Sequence, residues 1–282
     1  MMAQQNKEMI THNIYAKKRF GQNFLTNKHI INLIIDSVLG DSDQGIIEIG
    51  PGMGALTAEI IYKAAKTVAI EIDDNLIDFL INKYQTVKNF KVIHQDILKT
   101  NLDQLVAEEF SNLQEVNIIS NIPYYITSPI IFKLLKITNP KVKSFVLMMQ
   151  KEVGERILAQ PNTKSYNNLS IVCQFYCDIE KVTLVGKNNF VPVPKVDSIV
   201  LKFTFNKKYH DIKNEGSFLE FIRSMFSTKR KTILNNLGNY LKNKRQAETI
   251  LTSLKYSHNL RSENLTLNDF YLLYNKINEE ES

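Results

Sequence analysis

Between residues 45 and 159, short apolar runs alternate with segments of helical periodicity. This alternation limits the possible folds more than any other feature of the chain. Residues 45–49, 67–72, 90–94, 116–120 and 144–149 have the length and apolar content of strands. Residues 55–65, 75–84, 102–110, 129–136 and 151–159 carry apolar positions at helical spacing, and another helix is expected over 30–39, stopped by Gly40. Strands that are apolar throughout must be covered on both faces. The pattern therefore predicts an α/β domain with a parallel sheet and helices on either side.

After a helix expected over 167–177 the texture changes. Residues 182–185 and 198–205 read as strands. Between them runs Phe190-Val191-Pro192-Val193-Pro194-Lys195-Val196-Asp197, a proline-pinned loop that cannot be helical. Residues 207–216 are polar and read as a linker, and 218–274 are helix-like with Gly and Asn breaks. The 282-residue length suits two domains. The expected organisation is a flexible arm over 1–14, a sheet domain over 15–206 and a small helical domain over 207–282.

Composition narrows the class. With 44% hydrophobic and 23% charged residues, the chain matches an ordinary soluble protein. The first fourteen residues lack the apolar core of a signal peptide, and no stretch reaches the roughly 18 apolar residues of a membrane span. Cys173 and Cys177 lie a helical turn apart with no histidine nearby, so they read as reduced core thiols in a cytoplasmic protein, and no metal site is expected. The net charge is +6, and its distribution is uneven. Residues 221–247 contain no Asp or Glu, yet hold Arg223, Lys229, Arg230, Lys231, Lys242, Lys244 and Arg245. A second basic cluster is Lys17-Lys18-Arg19. Such stripes are the electrostatic footprint of a polyanion, here nucleic acid.

Four successive strands end in groups suited to a nucleoside ligand. The first runs into Glu48-Ile49-Gly50-Pro51-Gly52-Met53-Gly54, a turn through which backbone passes close to a ligand. The second ends near Glu71, 21 residues beyond Gly50, where an acid meets a ribose in this architecture. The third leads to Asp96, which can accept from an adenine amine, and Ile97, which can pack on its ring. The fourth ends in Asn121-Ile122-Pro123-Tyr124. There the Asn side-chain oxygen and the Ile122 carbonyl offer two acceptors, Pro123 fixes the backbone, and Tyr124 offers a flat face. An exocyclic amine has two N–H donors on a flat ring, so the match is chemical. A dinucleotide fingerprint would need glycine at position 55, where Ala55 stands.

The motifs together resemble those of the small-subunit rRNA adenine dimethyltransferases of the KsgA type. The resemblance rests on Lys18-Arg19-Phe20-Gly21-Gln22-Asn23-Phe24-Leu25, on the glycine turn from Glu48, on Asn121 to Tyr124, and on Phe190 to Ser198. A fifth stretch, Phe226 to Thr232 with Asn235-Asn236-Leu237, is also similar. The family implies a Rossmann-like class I methyltransferase sheet and S-adenosylmethionine as cofactor. It implies that Asn23 and Leu25 border the cofactor, Gly50 and Gly52 approach its methionine end, Glu71 holds the ribose, and Asp96 and Ile97 read the adenine. Asn121 would sit where cofactor and target meet. Tyr124 and Phe190 would stack on the two faces of the target base, and the basic residues, with Lys17, Lys18, Arg19, Arg223, Lys229, Arg230 and Lys231 foremost, would grip rRNA phosphates. The implied partner is the small ribosomal subunit or its assembly precursor, bound by a monomer. Ile122 departs from the usual Leu, and Tyr125 from the Asn common in bacterial members. Two rivals share the sheet: a large-subunit adenine methyltransferase of the macrolide-resistance type, and a non-enzymatic assembly factor.

Overall fold

The computed structural model describes residues 22–40 and 43–281, with side chains through residue 279. The expected arm over 1–14 and the cluster Lys17, Lys18 and Arg19 lie outside the described residues.

In chain order the strands are β1 (Phe24–Leu25), β2 (Gly45–Ile49), β3 (Lys66–Glu71), β4 (Phe90–His94), β5 (Val116–Asn121), β6 (Val142–Gln150), β7 (Cys177–Val185), β8 (Phe190–Val191) and β9 (Ser198–Phe205). Seven of them form one sheet in the order β4-β3-β2-β5-β6-β9-β7, and β1 pairs with β8 separately. The pairs β3–β4, β2–β3, β2–β5 and β5–β6 are parallel, while β9 runs antiparallel to β6. This is the expected Rossmann-like α/β sheet. Its centre is buried on both faces, with Ile46, Ile47, Ile118, Ile119, Val146 and Leu147 all at 0% exposure. Each such side chain contributes about 1.5–3 kcal/mol relative to leaving it in water.

The helices are α1 (Lys28–Asp36), α2 (Thr57–Lys63), α3 (Asp74–Lys83), α4 (Leu102–Glu109), α5 (Thr127–Leu134), α6 (Lys151–Ile157), α7 (Asn168–Tyr176), α8 (Glu215–Met225), α9 (Ile233–Leu241), α10 (Lys244–Ser253) and α11 (Leu267–Glu281). Their starts follow local chemistry. Asn27 caps α1 by accepting from the His29 and Ile30 amides, and Asp73 caps α3 by accepting from Asn75.

Strand order fixes where a ligand can enter. The chain builds outward from β2 through β3 to β4, then returns to lay β5 on the other side of β2. That reversal opens a crevice beyond the carboxyl ends of β2 and β5. Ser120 Oγ donates to the Ile49 carbonyl at 2.7 Å and locks the two strand ends together there.

The chain divides into two compact units. One comprises residues up to 154 together with 179–205, and the other 155–178 with 206 onward. Residues 155–178, assigned from the sequence to the sheet domain, thus group with the C-terminal helices. The second unit has an aromatic core of its own. Phe175 of α7 packs against Phe218 of α8 at 5.2 Å between ring centroids, and Phe226 against Phe270 of α11 at 5.6 Å. Asn236, buried at the base of α9, accepts from Thr228 Oγ1 at 2.6 Å and donates to the Met225 carbonyl at 2.9 Å. It thereby clasps the turn carrying Lys229, Arg230 and Lys231. Among the described residues no helix is long and apolar enough to cross a membrane. Cys173 and Cys177 are free and buried, and burial pushes both thiols well up.

Candidate active site

The crevice at the ends of β2, β3 and β5 is a cavity of about 290 Å³. Asn23, Leu25, Gly50, Gly52, Glu71, Asp96, Ile97, Asn121, Ile122, Pro123 and Tyr124 all line it. Residues far apart in sequence meet there because neighbouring strands of one sheet end at the cavity, joined by Asn23 and Leu25 from the segment at β1.

The glycine turn is built for close approach. Gly50 has φ +66°, a left-handed conformation that L side chains rarely adopt, and no atom lies within 4 Å of where its Cβ would stand. A side chain there would project into open space beside the cavity, so glycine keeps room for a ligand. Gly54 serves packing instead, since a Cβ would come within 2.7 Å of the Tyr84 hydroxyl. The Gly52 amide donates to Glu71 Oε2 at 3.3 Å, and Glu71 Oε1 accepts from Ile72 and Asp73 at 2.9 and 3.0 Å. Loop and carboxylate form one unit. Glu71 is 5% exposed, and burial raises its pKa against the pull of those three amides. Asp96 Oδ1 accepts from the Leu98 amide at 2.9 Å, while Oδ2 accepts from no described residue. Ile97 is buried beside it.

This set fits S-adenosylmethionine. The open space at Gly50 leaves room for the amino-acid end, a buried carboxylate suits a diol, and a carboxylate beside an apolar residue suits an adenine. Among the described residues no cluster of three or more His, Cys, Asp or Glu could hold a metal.

The Asn121 amide is oriented by the segment before β1. Its Nδ2 donates to the Asn23 carbonyl at 3.1 Å. An amide has its donors on one side and its acceptor on the other, so Oδ1 remains available. The Ile122 amide donates to the Met148 carbonyl at 3.2 Å, and the Ile122 carbonyl accepts from no described residue. Pro123 (φ −58°, ψ 129°) turns the chain into a 3-10 turn over Tyr124–Ile126. Asn121 Oδ1 and the Ile122 carbonyl are thus two adjacent acceptors without a donor among the described residues, on a segment that lines the cavity together with Tyr124, although Ile122 itself is 1% exposed.

Phe190 requires a correction. The resemblance placed it on the second face of the target base. It is 1% exposed and belongs to the core cluster with Leu25, Ile31, Val185 and Val200, and it does not line the cavity. The cause is β1–β8 pairing, which sets Phe190 opposite Leu25 and buries both. Arg223, Lys229, Arg230 and Lys231 lie in the second unit, all exposed, with no ion pair to a described residue.

The motif reading left Glu48 without a role. It lines the cavity at 1% exposure and accepts from Thr57 Oγ1 at 2.6 Å. Burial first, and the nearby Glu71 charge, push its pKa from 4.5 up to about 7, against the Thr57 hydrogen bond. The signal was in the sequence: one carboxylate within the run Ile46-Ile47-Glu48-Ile49. Between pH 4.5 and 7 the folded state holds a proton that the unfolded state has released. Glu48 is therefore least unfavourable below pH 4.5, and stability falls as pH rises towards 7. The full cost is on the order of 3 kcal/mol. Glu48→Gln should match the ligand-free parent near pH 4, exceed it increasingly as pH rises to about 7 and hold that gap above it in thermal melts. A gap that does not change with pH would show that Glu48 does not titrate as described.

The family model of ribosomal RNA adenine dimethylases matches residues 13–279. The chain is 45% identical over 263 residues to ribosomal RNA small subunit methyltransferase A of Mycoplasma capricolum subsp. capricolum, covering 93% of this chain and 97% of that protein. The crystal structure of a dimethyladenosine transferase from Plasmodium falciparum superposes with a TM-score of 0.76 at 32% identity, covering 92% and 98% of the two chains. The 23S rRNA methyltransferase ErmE shares the fold, with a TM-score of 0.66 at 23% identity over 91% of this chain and 100% of that one. The chain belongs to the ribosomal RNA adenine dimethylase family, as a methyltransferase whose methyl donor is S-adenosylmethionine.

Proposed function

We propose that this protein dimethylates the exocyclic amines of two adjacent adenosines near the 3′ end of small-subunit rRNA. It would act as a monomer in the cytoplasm, on the small subunit or an assembly precursor. The observation that carries the reading is the pair of acceptors without a donor among the described residues, Asn121 Oδ1 and the Ile122 carbonyl, on the same segment of the cavity wall as Tyr124.

An adenine amine is a poor nucleophile because its lone pair is delocalised into the ring. Asn121 Oδ1 and the Ile122 carbonyl accept its two N–H groups and favour a more pyramidal nitrogen. This is catalysis by position and electrostatics, with no strong base required. S-adenosylmethionine supplies an electrophilic methyl group on a sulfonium. Glu71 and Asp96 hold the nucleoside end of that group, and Gly50 leaves room at the other. As the N–CH3 bond forms and the S–CH3 bond breaks, the neutral thioether product leaves. The alkylated nitrogen, now cationic and strongly acidic, releases one proton to water. One N–H remains, so one acceptor is released and the site must still admit the monomethylated amine. The base reaches the cavity only when unstacked, and Tyr124 offers a new stacking surface worth about 1–3 kcal/mol. The exposed basic turn held by Asn236 suits contacts to phosphate, which position without reading sequence.

The test is methyl transfer from labelled S-adenosylmethionine to separated, unmethylated small and large ribosomal particles, with mass mapping of the product. Dimethyladenosine at adjacent positions in small-subunit rRNA is the expected result. Label confined to the large subunit would move the chain to the resistance-methylase specificity. Tight binding without label would make it an assembly factor.

A further inference from the structure

The Tyr124 and Ser198 hydroxyls share a hydrogen bond of 2.8 Å. We propose that Ser198 is a positioning residue for methyl transfer: through this bond it holds the Tyr124 ring as a preformed platform for the target base. The inference rests on the adenine-methylation reading and assigns a part to the end of the Phe190–Ser198 motif, whose Phe190 lies in the core.

Ser198 is fully buried at the first position of β9, opposite Gln150 of β6. The residue before it is pinned twice. The Asp197 carbonyl accepts from the Lys151 amide at 3.0 Å, and its Oδ1 accepts from the Lys187 amide at 2.9 Å. The serine hydroxyl is thus presented by a strand end with little freedom. At its other end Tyr124 is also fixed. Its carbonyl accepts from Thr127 Oγ1 at 3.1 Å, and Pro123 sets the preceding backbone. The ring is tied at both the main chain and the phenol tip.

The direction of the phenol is informative. Tyr124 is only half-buried, yet its hydroxyl reaches a fully buried partner, and the loss of solvent raises its pKa. For stacking alone, phenylalanine would supply the same π-face. The hydroxyl adds an anchored tip, which fixes the ring axis and, because a phenol O–H prefers to lie in the ring plane, favours one ring plane. Asn121 Oδ1 and the Ile122 carbonyl define where the amine nitrogen must lie, and the ring plane beside them defines the tilt of the base. Fixing that plane during folding removes an ordering cost from the moment of reaction. Small errors in such alignment reduce the rate without weakening cofactor binding.

The experiment is a double-mutant cycle with Ser198→Ala, Tyr124→Phe and the double variant, assayed on small ribosomal particles at saturating S-adenosylmethionine. Each single change should lower kcat by about three- to tenfold, the range of one hydrogen bond. The dissociation constant for S-adenosylmethionine should not change, and the double variant should lose no more than either single one. Losses that multiply would mean that Ser198 acts apart from Tyr124, and would overturn the proposal. Wild-type kcat in Ser198→Ala would do the same. Should Ser198→Ala fail to fold, Tyr124→Phe decides alone, because it keeps the ring and removes only a half-buried hydroxyl. Full kcat there leaves the bond without a catalytic role. A wild-type protein that methylates no adenine would overturn the underlying reading instead.

Discussion

Replacing Asn121 with alanine should lower methyl transfer by about 10²–10³-fold, the usual loss when one preorganised polar group is removed from a reacting centre. Binding of rRNA should be nearly intact, since the exposed basic residues belong to another unit of the chain. The Asn121 side chain is held by one bond, Nδ2 to the Asn23 carbonyl at 3.1 Å, which leaves Oδ1 for the amine. Alanine removes both. Aspartate separates them: it keeps an acceptor but places a carboxylate against the Asn23 carbonyl, with no donor between. Asn121→Asp should therefore also be impaired, through misorientation. Measured kcat and rRNA affinity check this, and full activity in Asn121→Ala would remove the paired-acceptor mechanism.

Glu71→Ala should weaken S-adenosylmethionine binding by about a hundredfold, the loss of one to two hydrogen bonds to a charged acceptor at roughly 1.5–3 kcal/mol each. The geometry adds a second route to the same loss. Glu71 accepts from the Gly52, Ile72 and Asp73 amides, so alanine frees the glycine turn as well as the ribose. Calorimetry with S-adenosylhomocysteine and its 2′-deoxy analogue separates the two routes. If Glu71 holds the ribose, the parent should lose affinity for the deoxy analogue while the variant discriminates little. An unchanged dissociation constant in the variant would show that Glu71 does neither job.

Much of the sheet domain was legible because its information is local. The expected strand over 45–49 matches β2 residue for residue, since a run of five buried residues between Gln44 and Gly50 has one reading. Expected helices differ from observed ones by a residue or three at the ends, where capping decides. Asp73 starts α3 one residue early, and Tyr124–Ile126 winds as a 3-10 turn ahead of α5. The strand expected over 182–185 was too short. β7 begins at Cys177, directly at the end of α7, and its outer positions are too polar to show a strand pattern.

Long-range pairing escaped the sequence. Pairing of residues 24–25 with 190–191 spans most of the chain, and it turned Phe190 from an expected stacking face into core. The grouping of residues 155–178 with the C-terminal helices was equally hidden, because the apolar face of α7 suits a sheet or a helix and only Phe175 against Phe218 decides which. Glu48 was visible as a carboxylate in an apolar run, but its proton depends on Thr57 and Glu71 being close in space.

By itself the sequence determined the alternating architecture, the residues that end each strand, and the chemistry of a nucleoside site, because periodicity and turn chemistry act over a few residues. Only the tertiary structure decided which groups face the cavity and in what state. Orientation of the Asn121 amide by Asn23, restraint of Tyr124 by Ser198 and burial of Glu48 all depend on partners brought together by the order of strands in the sheet.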